Sequence, residues 1–315
     1  MSLPLISVII PNYNHSKFLS QRLNSLVNQS YKNLEIIIID DCSTDNSRYI
    51  IDKFKCDFNT KKIFNKQNLG PFKSHNLGAT LAKGEYILFA ESDDFCDSNL
   101  IEVLVDNLIS DSSLGVSFCK SKIIDENGNS IRDDYEYREK KFREKCIEST
   151  KILAHDMREY LLISNVIPNM SAAMIKRDLF LSINGLNTSY RLCADWDLWL
   201  RLSEVTDFYY STNVLNYFRD HSRSVRNKYR SNLQIIETYS LIIETCNRKV
   251  PNKQLMNRVK NLLIYNWVAK TIMNPISFIQ MGEKIWKRAI KFDPLFIMRF
   301  IYIIFKRIFG IKLES

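Results

Sequence analysis

The stretch YILFAESDD, residues 86–94, places five apolar residues directly before four polar ones. The same order recurs in IIIIDD, residues 36–41, and in SVIIPNYN, residues 7–14. Continuous apolar strands of this kind are typical of a parallel sheet that helices cover on both faces. The segments between them, such as Phe18–Asn28 and Phe72–Ala82, have helical patterns. The sequence therefore predicts an α/β fold.

Polar side chains stand at the carboxyl end of each predicted strand, as Asn12-Tyr13-Asn14, Asp40-Asp41 and Asp93-Asp94. In open α/β sheets, ligands bind at these strand ends. Carboxylate oxygens suit Mg²⁺ or Mn²⁺, which bind through one or two carboxylates together with substrate phosphate. The cluster of Asp93, Asp94 and Glu91 is therefore the best candidate for a metal-assisted phosphate site. A solvated turn after a strand remains the alternative, because Asp is a common turn residue.

The net charge of +9 is unevenly distributed along the 315 residues. Residues 1–220 carry a net charge of −4, whereas residues 221–315 carry +13. A nucleic-acid-binding domain that extends over the whole chain is therefore disfavoured, since its basic residues would be spread along the length. The pattern indicates a mildly acidic body and a strongly basic tail.

Several classes of protein are excluded by missing patterns. No two of the seven cysteines have C-x-x-C spacing, which argues against a structural zinc site and favours reduced thiols in the cytosol. The chain has no G-x-G-x-x-G after its first strand, no P-loop and no G-x-S-x-G elbow. No uncharged apolar stretch reaches the ~18 residues of a membrane span, and residues 1–14 lack the basic start of a signal peptide.

Five segments in order resemble family 2 glycosyltransferases of the GT-A fold: SVIIPNYN (7–14), IIIIDDCSTDNS (36–47), NLGPFKSHNLGATLAKGEYILFAESDD (68–94), ADWDLWLRL (194–202) and YFRDHSRS (217–224). The resemblance implies a Rossmann-like, mostly parallel sheet flanked by helices. It also implies transfer of a sugar from a nucleotide diphosphate donor, UDP being favoured, with inversion at the anomeric carbon. The chain lacks the Q-x-x-R-W motif of processive members, so transfer of a single sugar is expected.

The resemblance also suggests donor-binding residues. Pro11 and Tyr13 match the loop that packs on the donor base, and Asp41 matches a carboxylate that bonds to that base. Tyr13 has the alternative of capping the core as a strand-end aromatic. His75 stands where many members have Arg in their diphosphate-binding loop, and Arg219 is expected to offset diphosphate charge.

The metal site implied by the resemblance combines Asp93, Asp94 and His221 around Mn²⁺ or Mg²⁺. One of the two aspartates is expected to ligate the metal, and the other to contact ribose or orient the ligands, so Asp93 also counts as donor-binding. Glu91 replaces the first Asp of the family's D-x-D and is a possible further ligand. His221 belongs to an R-x-H-x-x-S motif with Arg219 and Ser224.

Asp195 matches the general base of the family, which takes the proton of the attacking acceptor hydroxyl. Its position at the start of a predicted helix favours the ionised carboxylate. A role as a simple N-cap is the alternative. The Glu that precedes this Asp in the family is Ala194 here, so the acceptor is expected to be held differently.

Two regions are expected, a GT-A domain over residues 1–225 and a basic helical extension over residues 226–315. In LFIMRFIYIIFKRIF, residues 295–309, the cations Arg299, Lys306 and Arg307 fall on one side of a helix that is otherwise apolar. Such a helix suits an anionic membrane surface, and docking on the protein's own body or on a second subunit is the alternative. We therefore expect a cytoplasmic protein, peripheral on the inner face of the membrane, that acts on a lipid-linked saccharide.

Three rival functions remain open. The departures at Glu91, His75 and Ala194 are compatible with a module that binds a sugar nucleotide without transferring the sugar. A nucleotidyltransferase on a similar sheet should have a Gly-rich loop after its first strand, and NYNHS, residues 12–16, contains no Gly. The basic tail leaves a nucleic-acid binder as the third rival, and we expect no nucleic-acid partner.

Overall fold

The computed structural model describes residues 3–135, 138–221, 232–273 and 285–308. The chain divides into two compact units, one of Met1–Ser189 with Ala194–His221 and the other of Tyr190–Cys193 with Ser222–Ser315. The predicted boundary between residues 225 and 226 lies outside the described residues, as does Ser224.

The elements of the described residues are as follows. The strands are β1 (Ile6–Asn12), β2 (Leu34–Asp40), β3 (Asn59–Phe64), β4 (Tyr86–Phe89), β5 (Phe95–Cys96), β6 (Leu114–Ile124), β7 (Ser130–Asp133), β8 (Thr150–Ile152), β9 (Ala173–Lys176) and β10 (Asp207–Arg219). The helices are α1 (Ser16–Val27), α2 (Ser47–Lys53), α3 (Pro71–Leu81), α4 (Leu100–Ser110), α5 (Lys140–Lys145), α6 (Ala154–Ile163), α7 (Arg177–Ser182), α8 (Ala194–Leu202), α9 (Asn232–Arg248), α10 (Lys253–Met273) and α11 (Phe296–Ile308). Residues 285–292 are also helical.

All strands of the described residues belong to one sheet with the order β3-β2-β1-β4-β9-β6-β10-β5, in which β7 pairs with β6 and β8 with β10. The first four strands in this order are parallel to one another. Every residue of β1, β2 and β4 is buried, which confirms the prediction of strands covered on both faces. The other half is mixed, because β9 runs antiparallel to both β4 and β6.

Helix α3 packs closely on β1 and β2. The residue that permits this approach is Gly78, which is buried in the middle of the helix. A Cβ atom at this position would lie 2.3 Å from Cγ2 of Ile9. The absence of a side chain therefore fixes how near α3 lies to the sheet.

The carboxyl-terminal edge of the sheet gathers chain segments that are distant in sequence. Strand β5 pairs antiparallel with β10, with Phe95 opposite Tyr217. This register brings the loop of residues 91–94, which follows β4, beside the end of β10 at residues 219–221. Strand β1 pairs with β4, and its own carboxyl end leads through residues 13–15 into α1.

The second unit has an apolar core between its helices. Trp267 of α10 is fully buried, and its ring lies 5.6 Å from that of Phe296 and 5.7 Å from that of Phe300, both on α11. Buried Asp293 precedes α11 and forms ion pairs with Lys260 at 3.4 Å and Arg299 at 3.0 Å. Within the described residues, no helix is both long and apolar enough to cross a bilayer.

Candidate active site

Three side chains converge at the carboxyl-terminal edge of the sheet: His15, Asp93 and His221. One nitrogen or oxygen from each lies within 4.8 Å of the corresponding atoms of the other two. Oδ2 of Asp93 is 3.0 Å from Nε2 of His221, and Nδ1 of His15 is 2.9 Å from the Ser92 hydroxyl oxygen. Asp93 and His221 were predicted from the sequence, whereas His15 was not. We call this group the histidine–aspartate cluster.

The electrostatics of the cluster favour an ionised Asp93. Burial alone would raise the pKa of this carboxyl, but His15 and His221 lower the pKa by more. The side chain is 16% exposed, so it is nearly withdrawn from water and still open on one side. Asp93 is therefore a half-buried carboxylate held charged by imidazoles, and an anionic carboxylate is the form that binds a metal.

The neighbouring Asp94 points into the protein interior. Its Oδ1 accepts a hydrogen bond from the backbone N–H of Arg219 at 3.0 Å, and its Oδ2 lies 4.0 Å from Nη2 of Arg22. Burial and the adjacent Asp93 raise the pKa of Asp94 to about 8. The structure thus gives Asp94 a place next to the predicted metal ligands but outside the converging atoms, because β10 and Arg22 occupy its surroundings.

Arg219, predicted to contact a diphosphate, is almost completely buried. Its Nε donates to the backbone oxygen of Asp93 at 2.8 Å, and its Nη1 donates to those of Asp125 and Glu126. Its Nη2 donates to Oε1 of Gln21 at 2.7 Å. The guanidinium therefore fixes the loop that carries Asp93, and burial lowers its pKa.

Buried His75 pairs with half-buried Glu91. Nε2 of His75 is 2.6 Å from Oε1 of Glu91, and its Nδ1 is 2.6 Å from the backbone oxygen of Pro71. The Pro71 oxygen can only accept, so Nδ1 donates to it, and Nε2 faces the Glu91 carboxylate. Burial alone would lower the pKa of His75, but Glu91 raises it by more, with a smaller contribution from Asp195. Glu91 faces His75 and is not part of the histidine–aspartate cluster.

The loop after β2 is closed by its own hydrogen bonds. Asp41 accepts hydrogen bonds from the Asn65 side chain and from the backbone N–H groups of Leu69 and Gly70, all within 2.9 Å. The structure thus places Asp41, predicted to bind the donor base, as the support of the segment at residues 65–70. Asp40 also orders this loop, since it accepts a hydrogen bond from the backbone N–H of Ser43.

Of the two residues predicted to pack on the base, Pro11 and Tyr13, only the second is accessible. Pro11 lies within buried β1, opposite Ile39 of β2. The Tyr13 residue is 44% exposed, so its ring does not cap the core. An exposed aromatic face at a strand end can stack on a planar ring.

Asp195 is the second residue of α8, so it lies within the first turn and not at the N-cap. Its Oδ2 accepts a hydrogen bond from Asn165 at 3.2 Å, and its Oδ1 accepts one from the backbone N–H of Trp196 at 2.8 Å. Trp196 is itself fixed by donation to the backbone oxygen of Leu161. Asp197, two residues on, is buried and forms an ion pair with Arg201. Of the two carboxylates in this turn, Asp195 is partly exposed and Asp197 is buried.

The histidine–aspartate cluster fits a divalent cation by its donor chemistry. Two imidazole nitrogens and one carboxylate make a mixed nitrogen and oxygen set. Such a set matches a transition metal such as Mn²⁺ better than Mg²⁺, which prefers oxygen ligands. The residues present therefore suit the metal that the resemblance implies, with His15 in the place expected for a second carboxylate.

Curated relatives support the assignment of the site to a known family. An uncharacterized glycosyltransferase of Haemophilus influenzae is 40% identical over 136 residues, which cover 42% of this chain and 53% of that protein. Glycosyltransferase GlyG of Streptococcus pneumoniae is 43% identical over 101 residues, or 32% of this chain and 34% of that protein. Chondroitin synthase of Pasteurella multocida is 29% identical over 65% of this chain and 20% of its own length. The chain therefore spans about half or less of each of these relatives.

Solved structures show the same fold. TarS 1-349 of S. aureus in complex with UDP-GlcNAc has a TM-score of 0.72 at 18% identity, covering 98% of this chain and 93% of that chain. Mannosyltransferase PcManGT of Pyrobaculum calidifontis, in complex with GDP-Man and Mn2+, has a TM-score of 0.60 at 14% identity, with 98% and 88% covered. These likenesses confirm the predicted GT-A fold. The model of "Glycosyl transferase family 2" matches residues 7–178, more than half of the chain, and the protein therefore belongs to glycosyl transferase family 2.

Proposed function

We propose that the protein transfers one sugar from a nucleotide diphosphate sugar, with UDP as the nucleotide, to a saccharide acceptor with inversion at the anomeric carbon. The observation that carries this proposal is the convergence of His15, Asp93 and His221 at the carboxyl edge of the sheet. The complex of TarS with UDP-GlcNAc and the synthase activity named for the chondroitin relative support a sugar nucleotide donor and a saccharide product.

In this proposal the histidine–aspartate cluster holds Mn²⁺. When bound, the metal neutralises charge that develops on the departing diphosphate. Arg219 contributes by donating a hydrogen bond to the backbone oxygen of Asp93, which fixes the loop. Asp94 contributes by anchoring the same loop to β10. Both residues thus serve the donor site without touching the donor.

The remaining donor contacts follow from exposure. Tyr13 presents its ring for stacking on the uracil. Pro11, within β1, and Asp41, which holds residues 65–70, are buried and support the backbone of the donor side. His75 stands in the segment where many family members have Arg, and its Nε2 lies 2.6 Å from Oε1 of Glu91. An imidazole paired with a carboxylate brings no net positive charge, so this pair orders the loop on the donor side and holds a diphosphate less strongly than that Arg would.

Asp195 acts as the general base. Its carboxylate is oriented by Asn165 and lies in the first turn of α8, where the helix dipole favours the charged form. An oriented and ionised carboxylate can take the proton of the acceptor hydroxyl as that oxygen attacks. The rate of transfer should therefore depend on Asp195 while donor affinity should not.

The test of this function is Asp195→Asn. We expect sugar transfer to fall by ~10²–10⁴-fold, the usual contribution of a general base, while the dissociation constant for UDP-sugar with Mn²⁺ stays within about twofold. Asp178→Asn is the matched control, because the Asp178 side chain is 90% exposed on α7 and should leave both quantities unchanged. A loss of donor affinity as large as the loss of transfer would overturn the assignment of Asp195.

Helix α11 supports a membrane partner through its outer face. Five bulky residues at helical spacing are each more than half exposed: Ile297, Met298, Ile301, Tyr302 and Phe305. The inner face, with Phe296, Phe300 and Ile303, is buried. Arg299, expected on the outer polar side, instead bonds to Asn257, Asn261 and Asp293. The helix is therefore docked within its own unit and still presents an apolar stripe.

The occupant we propose for this stripe is an anionic lipid surface that also carries the acceptor. The adjacent helical residues 285–292 expose Lys287, Arg288 and Lys291, whereas the one acidic residue between 285 and 308 is the buried Asp293. Anionic headgroups complement these cations. A second copy of the chain would bring another region with a net charge of +13, so self-association is electrostatically disfavoured.

Vesicle binding tests the lipid partner. The double variant Ile301→Glu with Phe305→Glu should lose most of its sedimentation with phosphatidylglycerol vesicles, because both substitutions place charge on the exposed stripe. Val250→Glu is the control, since Val250 is 74% exposed in the same unit but outside α11. Equal binding of both proteins, or equal binding to neutral phosphatidylcholine, would rule out the proposed surface.

A further inference from the structure

Two glutamates of α9 hold one short segment of chain. Glu237 accepts hydrogen bonds from three consecutive backbone N–H groups, those of Arg191 and Leu192 at 2.8 Å and of Cys193 at 3.1 Å. Two helical turns further along α9, Glu244 accepts a hydrogen bond from the Tyr190 hydroxyl at 3.0 Å. Segment and helix belong to the same compact unit.

The Glu237 contact is a strong restraint. The residue is 7% exposed, so its carboxylate is almost removed from water, and a buried charge is costly unless hydrogen bonds compensate it. Three backbone donors supply that compensation. Residues 191–193 lie outside the helices and strands, and all three of their backbone N–H groups are satisfied by this one carboxylate. The carboxylate therefore determines the path of the chain at this point.

Charge composition singles out the same contact. Residues 221–315 contain 18 basic residues and only five acidic ones. Two of the five, Glu237 and Glu244, face the segment of residues 190–193. Glutamates that served solubility or neutralised nearby lysines would be exposed, and Glu237 is buried among backbone N–H groups.

The segment leads directly into the proposed general base. Cys193 is followed by Ala194, the first residue of α8, and by Asp195, the second. We propose that Glu237 is a positioning residue that sets the entry of the chain into α8, and with it the orientation of the Asp195 carboxylate for proton transfer. This inference rests on the proposed role of Asp195. A displacement of ~1 Å at a reacting group can lower a rate ~10²-fold. A restraint on the backbone at Cys193, two residues before Asp195, can therefore change the rate of sugar transfer.

Glu237→Gln tests the inference, since it keeps the size of the side chain and replaces one acceptor oxygen by an N–H₂ donor that faces backbone donors. We expect kcat for sugar transfer to fall ~10–100-fold, while the KM for donor and the affinity for Mn²⁺ change less than about twofold. Glu244→Gln is the matched control, because Glu244 meets a single hydroxyl, and it should lower kcat less than about threefold. Glu237→Asp keeps the charge on a shorter arm and should fall between the two.

The outcomes separate this inference from the function on which it rests. A kcat for Glu237→Gln within threefold of the unchanged protein would overturn the positioning role, and so would parallel losses of kcat and donor affinity. If Glu237→Gln does not fold, an unchanged kcat in folded Glu237→Asp has the same consequence. Asp195→Asn is measured alongside: retained transfer in that variant rejects the base itself, whereas lost transfer with an unaffected Glu237→Gln rejects only the positioning role.

Discussion

Two acidic loops that look alike in the sequence have different surroundings in the structure. Asp40 is the last residue of β2 and Asp41 follows it, whereas Asp93-Asp94 lie in the loop after β4, and both strands are fully buried in the parallel half of the sheet. In the first loop each carboxylate is engaged by donors of its own surroundings. In the second, Asp93 faces two imidazoles whose nitrogens can ligate a metal.

The first loop is closed by many local donors. Asp40 accepts hydrogen bonds from the Asn12 side chain, from the backbone N–H of Ser43 and from Arg48. Asp41 accepts three more, as described above. Such carboxylates have few lone pairs left for a ligand, since a carboxylate has about four acceptor positions. Their charge is used to hold a loop in shape.

The second loop divides its two carboxylates between those roles. Asp94 anchors the loop to the backbone of Arg219, and Asp93 is left facing His15 and His221. The contrast teaches that an acidic pair at a strand end becomes a candidate metal site only where neighbouring elements present further ligands in place of backbone donors. Substitutions in the two loops should therefore have effects of different kinds.

The largest effect is expected for Asp93→Asn. An amide oxygen carries no charge and binds a divalent cation weakly, so Mn²⁺ affinity and sugar transfer should both fall by more than ~100-fold, beyond the loss seen for residues that only support a ligand. Mn²⁺ binding followed by electron paramagnetic resonance, together with turnover of UDP-sugar, measures both. Asp40→Asn is the control from the first loop and should leave Mn²⁺ affinity unchanged. Similar losses in both variants would erase the distinction between the loops.

His15→Ala should have the next largest effect. Removal of one of three ligands should weaken Mn²⁺ binding by at least the ~10–100-fold that follows loss of a residue supporting a ligand, and nitrogen coupling to bound Mn²⁺ should decrease in the resonance spectrum. His155→Ala is matched to it, because the His155 side chain is 69% exposed on α6. Unchanged Mn²⁺ affinity in His15→Ala would remove this residue from the cluster.

The smallest effect concerns His75 and the pH dependence of stability. The pKa of His75 is raised in the folded protein, so its pairing with Glu91 stabilises the fold fully below the unfolded value of about 6.5 and ceases to do so as pH rises through the folded value. Thermal unfolding without metal should show a melting temperature that declines with pH above this point, and less steeply in His75→Gln. Parallel profiles for the two proteins would show that His75 does not carry this dependence.

Much of the first half of the fold could be predicted because its signals are local. Uninterrupted apolar runs such as Ile36–Ile39 encode buried parallel strands, and polar residues after them mark the ligand edge. Strand β9 could not be foreseen in the same way. It has only four residues, and its antiparallel position depends on pairing with β4 and β6, which are distant along the chain.

The sequence predicted the acidic residues of the candidate site, but it predicted only one of the two histidines that lie beside Asp93. His15 was missed because 78 positions separate it from Asp93, although the polar run after β1 at the same sheet edge was the available signal. The surroundings of Arg219 depend on the register of β10 against β5, which no local pattern specifies. The run at residues 133–145 is rich in charged residues, a pattern typical of a solvated segment, yet it contains fully buried Phe142.

The close packing of α3 on the sheet has a consequence for the pairing of His75 with Glu91. Gly78 lies one turn after His75 on the same helix. The distance of α3 from β1 therefore also determines the distance between the His75 imidazole and the Glu91 carboxylate. The lack of a side chain at position 78 thus lets the backbone of α3 lie against Ile9. A single methyl group there would lift the helix against Ile9 and lengthen the contact between imidazole and carboxylate, which couples an apolar packing detail to the electrostatic potential of the site.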